Sequence, residues 1–139
     1  MKTSLFYIIL CSSFLYSCSK EKRVTQKLNG VWELTAMKIT TDQGWTVFPG
    51  FTGDVTFSTS DERVYSSDLS YWVNGDTSII NWNGIYSVTK KGENLSFLNQ
   101  VGDSTYSYYR ILTLTSTDLQ LEETLFNGYV KQFQFRKKD

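Results

Sequence analysis

Leu119-Gln120-Leu121-Glu122-Glu123-Thr124-Leu125 runs through Phe126 into Asn127-Gly128. Tyr129-Val130-Lys131-Gln132-Phe133-Gln134-Phe135 follows directly. Successive side chains of an extended chain point to opposite faces, so Leu119, Leu121 and Leu125 share one face of the first run. Tyr129, Lys131, Phe133 and Phe135 share one face of the second, and Gln120, Gln132 and Gln134 lie on the opposite, polar face. Asn-Gly readily takes the positive φ angles that a two-residue reversal demands. The stretch therefore predicts an antiparallel hairpin with one wet face and one dry face.

The same grammar extends towards the N-terminus, with strands broken by turn residues and no sustained 3.6-residue apolar period. Val31–Ile39 forms the first strand, Val55 and Phe57 mark the second, and Val64–Val73 the third, closed by Asn74-Gly75-Asp76. Ile80, Trp82, Tyr86 and Val88 alternate in the fourth, turned by Lys91-Gly92-Glu93-Asn94. Leu95 and Phe97 open the fifth, Tyr106–Leu114 is the sixth, and the opening hairpin supplies the seventh and eighth. About eight antiparallel strands joined by short turns suit an up-and-down β-barrel, a number at which a sheet can close and lose its edges. A two-sheet β-sandwich is the alternative, since alternation alone does not separate closure from stacking.

Parity breaks in two places. Trp32-Leu34-Ala36 gives way to Met37-Ile39, and Tyr106-Tyr108 gives way to Tyr109-Ile111; each break predicts a bulge. On that reading Leu34, Val55, Phe57, Trp82, Tyr86, Phe97, Tyr108, Leu121, Phe133 and Phe135 face inward. The one long connection, Thr40–Thr52, carries Trp45, Phe48, Phe51 and the single proline. It is expected either to cap the mouth of the barrel or to fold down and complete its core.

Composition narrows the chemistry. Lys+Arg and Asp+Glu are both 14 in 139 residues, so no net field attracts nucleic acid. Histidine is absent, which removes Ser-His and Cys-His nucleophile pairs and His-ligated metal sites. The adjacent carboxylates Glu122-Glu123 and Asp61-Glu62 face opposite sides of a strand and make no two-carboxylate site. No phosphate loop or calcium loop is present. The chain is expected to be a binding protein and not an enzyme, with no metal and no cofactor.

The N-terminus reads as an address. Lys2 precedes Leu5-Phe6-Tyr7-Ile8-Ile9-Leu10-Cys11, and apolar character resumes at Phe14-Leu15-Tyr16, as in a secretory signal peptide. A helix of about twelve residues spans only about 18 Å, short of a hydrocarbon core of about 30 Å. Leu15-Tyr16-Ser17-Cys18 resembles the lipobox of bacterial lipoproteins, although Tyr16 stands where a small residue is usual. That resemblance implies cleavage before Cys18 and acylation of its thiol. Residues 1–17 are then a signal peptide, 18–27 a lipidated, solvated tether, and 28–139 the folded domain. Cleavage also discards Cys11, and acylation removes what would otherwise be a lone thiol in an oxidising compartment.

Leu28-Asn29-Gly30-Val31-Trp32-Glu33-Leu34 opens the domain, and its Gly30-x-Trp32 resembles the lipocalin signature. Further pieces, Val55-Thr56-Phe57, Gly84–Val88 with Leu95-Ser96-Phe97, and Ile111–Leu121, are similar in order and spacing to the compact lipocalin-like domains of bacterial lipoproteins. No room is evident for the flanking helix of animal lipocalins. The resemblance implies that Trp32 plugs the closed end of the barrel and that a basic residue near the C-terminus packs over its ring. Arg136 fits in sequence order, with Lys137 and Lys138 beside it, although alternation places Arg136 outward.

These readings together predict an envelope lipoprotein, held in the outer membrane of a Gram-negative bacterium by acyl chains on Cys18. Which face of that membrane it occupies stays open. Candidate ligand contacts are Trp45, Phe48, Phe57, Trp82, Tyr86, Tyr108 and Phe133, around a small hydrophobic ligand. The alternative is a filled barrel that docks an envelope protein or glycan through Trp45, Phe48, Tyr71 and Trp72.

Overall fold

A computed structural model describes residues 20–59, 63–73, 76–89, 91–99 and 105–139, with backbone alone for 71–73 and 76–82. Nine strands follow in order: β1 (Gly30–Thr41), β2 (Gly44–Val47), β3 (Thr52–Phe57), β4 (Val64–Val73), β5 (Asp76–Val88), β6 (Asn94–Asn99), β7 (Thr105–Leu114), β8 (Asp118–Thr124) and β9 (Val130–Lys137). From β3 to β9 each strand pairs antiparallel with the next, and β9 returns to pair with β1. That last pairing closes an eight-stranded barrel and excludes the sandwich.

The ninth strand, β2, lies within the connection read as a loop. β3 pairs with β1 only from Gly30 to Glu33, and β2 takes the same edge from Lys38 to Thr41. The connection thus folds into a hairpin that covers an edge of β1 which β3 leaves bare, satisfying backbone groups that would otherwise stay unpaired. At the predicted reversal, Gly128 has φ +81° and its N–H donates to the Leu125 carbonyl at 2.9 Å. The Tyr129 N–H donates to Asn127 Oδ1 at 3.1 Å. The side-chain chemistry of Asn and the freedom of Gly both go into that turn.

The bulge in β1 falls between Leu34 and Ala36 in the register against β9, just ahead of the parity break expected between Ala36 and Met37. The second break lies later than expected, between Ile111 and Thr113 against β8. Ser107, Tyr109 and Ile111 therefore keep the inward phase, while Tyr106 and Tyr108 are turned out to solvent and stack at 6.3 Å. The inward placement of Tyr108 is corrected to Tyr109.

Residues 20–28 are helical, where a solvated tether was expected. Leu28 and Thr25 are buried and Val24 packs against the core. Spacing of Val24 and Leu28 by four puts both on one helix face. Glu21 pairs with Arg63 at 2.9 Å, and Val24 faces Gly92, so the helix lies across the barrel end that holds the β3–β4 and β5–β6 turns. The folded unit therefore begins before Leu28. Cys11 and Cys18, like residues 1–17, lie outside the described residues.

That capped end is plugged by Trp32, which is fully buried and donates its indole N–H to the Leu28 carbonyl at 2.6 Å. The cation above the ring is Lys137, with Nζ 5.2 Å from the ring centre, and not Arg136. The register explains the change. Trp32 is the direct partner of Lys137, whereas Arg136 sits opposite Glu33 on the outer, exposed face. Gly30 makes room for the crossing: a Cβ there would come within 2.8 Å of Lys137 Cε, and its φ of +122° suits glycine alone.

Candidate functional site

Away from the plugged end the barrel is hollow. A cavity of about 440 Å³ occupies the lumen from its middle towards the end where β1, β6 and β8 finish. Its apolar walls come from alternate positions of seven strands, Met37 projecting from β1. Val55 and Phe57 project from β3, Tyr65 and Leu69 from β4, Phe97 from β6, Tyr109 from β7, Leu121 from β8, and Phe133 and Phe135 from β9. The rings brace one another edge to face: Tyr65 and Phe97 at 4.6 Å, Phe97 and Tyr109 at 5.2 Å, Tyr109 and Phe133 at 6.0 Å. Such edge-to-face pairs fix ring orientation beyond what burial alone provides.

Ser67 lines it from β4, and the other polar groups gather on one side. Asn99 and Thr105, direct partners across β6 and β7, line the cavity with Ser107, and Glu123 and Lys131, direct partners across β8 and β9, join them. Lys131 Nζ and Glu123 Oε2 are 3.9 Å apart. The adjacent Glu122 points outward instead, where Gln132 and Arg110 donate to its carboxylate. Burial pushes the Tyr109 hydroxyl far above the ordinary phenol range, the nearby Glu123 carboxylate and Tyr65 add to this, and a hydrogen bond with Ser107 offsets part of it. Tyr109 is therefore a neutral phenol inside the lumen. Burial raises Tyr65 in the same direction.

Of the residues singled out from the sequence, Phe57 and Phe133 line the cavity. Tyr86 is buried edge-on against Phe57 at 5.2 Å but is not part of the cavity lining, and its hydroxyl has no hydrogen-bond partner among the described residues. Trp45 and Phe48 are exposed on the β2 hairpin, with Lys38 Nζ 4.7 Å above the Trp45 ring, and Phe51 is the aromatic of that connection that reaches the cavity. Tyr108 is on the outer wall. Trp82 sits opposite Ser67 in the β4–β5 register, and its side chain, with those of Tyr71 and Trp72, lies outside the described residues. The polar side of the lumen escaped the sequence reading. Its signal was a charge on a dry face: Glu123 shares the phase of Leu121, and Lys131 that of Phe133.

No family model matches the chain, and no curated protein matches it. Among solved structures it is similar to a redesigned β-barrel, at 12% identity with a TM-score of 0.52, covering 84% of this chain and 96% of that one. A de novo designed fluorescence-activating β-barrel is similar at 12% identity with a TM-score of 0.48, covering 82% and 96%. At this identity the first likeness speaks for the barrel fold alone.

Proposed function

We propose that this protein is a lipid-anchored envelope lipoprotein that holds a small hydrophobic ligand in the lumen of a lipocalin-like barrel. The observation that carries the binding part is the cavity of about 440 Å³, within the range of small-molecule sites and walled by rings with a few convergent polar groups. The anchoring part rests on Leu15-Tyr16-Ser17-Cys18 at the end of an apolar leader. Cys18 precedes the described helical residues 20–28 closely in sequence, so on this reading the acyl chains hold the plugged end towards the membrane and the cavity away from it.

Native mass spectrometry of the protein purified from its own host tests the first part: a co-purified small molecule is expected, and is expected to be lost in Leu121→Trp, which fills the lumen. Metabolic labelling with a fatty-acid probe tests the second. Wild type should be labelled and sediment with membranes, and Cys18→Ala should be unlabelled and retained as precursor. A soluble, unlabelled wild type removes the anchor from the proposal.

A second reading is favoured by the exposed Trp45, Val47 and Phe48 on the β2 hairpin and Phe126 on the β8–β9 turn. Exposed aromatics of this kind suit a protein or glycan partner. Crosslinking in the envelope, with Trp45→Ala against wild type, separates it from ligand carriage by a change in partner profile.

A further inference from the structure

The polar side of the lumen specifies what the head of a ligand must be. Among the described lining residues the charged groups are Glu123 and Lys131, one of each sign, 3.9 Å apart. That separation is too long for a hydrogen bond, so the ammonium keeps donors and the carboxylate keeps acceptor sites to offer a guest. A carboxylate placed against Lys131 also feels the Glu123 charge, 3.9 Å from that ammonium, so repulsion offsets part of the attraction. Its desolvation in a ring-walled lumen is then only partly compensated. An ammonium placed against Glu123 meets the same difficulty from Lys131. A head that is uncharged escapes both costs. If it carries an acceptor and a donor, it can accept from Lys131 and donate to Glu123 at once.

The walls bear on the body. Phe133 and Phe135 lie nearly parallel, with 19° between their planes, and Phe57 and Phe97 are tilted by 34°. Flat ring faces pack a rigid ring with less ordering cost than a flexible chain.

Resting on the ligand-carrying reading above, we propose that the lumen selects a ring-bearing apolar ligand with an uncharged head that both donates and accepts hydrogen bonds, such as a carboxamide, read by the Glu123–Lys131 pair. The site thereby discriminates against free carboxylic acids of the same body.

Calorimetric titration of the intact protein at pH 7 with four probes tests this: naphthalene-2-carboxamide, 2-naphthoate, 2-naphthylmethylamine and unsubstituted naphthalene. The carboxamide should bind tighter than either charged probe by about tenfold or more, the scale of a partly compensated charge at a partly buried site. In Glu123→Gln, which removes one charge from a half-buried position and keeps the shape, the carboxylate should gain about tenfold relative to the amine. A carboxylate that binds wild type as tightly as the carboxamide overturns the head-group assignment and leaves the apolar lumen standing. An unchanged ranking in Glu123→Gln overturns the role of the pair. Failure of all four probes to bind overturns the ligand-carrying reading itself.

Discussion

Lys137 Nζ lies 5.2 Å from the centre of the Trp32 ring and donates to the Lys27 carbonyl at 3.2 Å, so one side chain joins the first strand, the last strand and the cap helix. A cation on an indole contributes about 0.5–2 kcal/mol and a net hydrogen bond about 0.5–1.5 kcal/mol. Lys137→Met should therefore lower unfolding free energy by about 1–2 kcal/mol, whereas exposed Arg136→Met should stay within about 0.5 kcal/mol. Urea denaturation of both variants checks the assignment, and equal losses would dissolve the distinction.

The Tyr86 hydroxyl is buried without a hydrogen-bond partner among the described residues. A buried unsatisfied polar atom costs about 1–3 kcal/mol, and removing it restores that cost. Tyr86→Phe keeps the ring against Phe57 and should raise stability by about 1 kcal/mol. A lower urea midpoint for this variant would show that the hydroxyl is satisfied in solution.

At Gly84 the constraint is proximity. An added Cβ would meet the Leu98 carbonyl oxygen at 2.0 Å and the Tyr65 ring at 3.2 Å. Backbone cannot yield as a flexible side chain can, so Gly84→Ala should cost about 1–3 kcal/mol or more. Gly44 has open space around it and a φ of +104°, so Gly44→Ala should cost about 1 kcal/mol through strain alone. Thermal unfolding of the pair ranks steric against conformational cost.

Acid should act through Glu122. Its carboxylate is held below the ordinary 4.5 chiefly by the Gln132 hydrogen bond; desolvation comes next and opposes it, and the Arg110 hydrogen bond and charge lower it further. A depressed folded value means the stabilisation is present above the unfolded pKa and is lost as pH falls through the folded one. Between pH 5 and the acid limb, wild type should lose slightly more stability than Glu122→Gln. The difference should stay below about 1 kcal/mol, because Arg110 is largely exposed. Parallel urea titrations at pH 7 and about pH 3 measure it, and identical acid sensitivity would remove Glu122 as a contributor.

Much of the barrel was legible because its determinants are local. Alternation, Asn127-Gly128 and the parity break between Ala36 and Met37 act over a few residues, and they reappear as strands, a turn with Gly128 at φ +81°, and a bulge between Leu34 and Ala36. Less of the lumen was legible. Phe57 and Phe133 line the cavity as expected, but Tyr108, expected inward, is on the outer wall, because four tyrosine and serine positions on β7 satisfy either phase. The later bulge is decided by pairing with β8.

By itself the sequence determined the eight strands of the barrel wall, the antiparallel order, the wet outer wall and the absence of histidine chemistry, since periodicity and composition are properties of neighbours along the chain; it did not show β2, which exists only by pairing with β1. The tertiary structure decided what depends on closure. Pairing of β9 with β1 chose Lys137 over Arg136 as the cation on Trp32, because register across two distant strands sets which side chain meets the ring. Helix 20–28 is too short to be stable alone and takes its place from Arg63 and the buried contacts of Thr25 and Leu28. Glu123 and Lys131 became one polar side of a lumen because β8 and β9 set them directly opposite each other across a curved wall, a proximity that neither strand carries on its own.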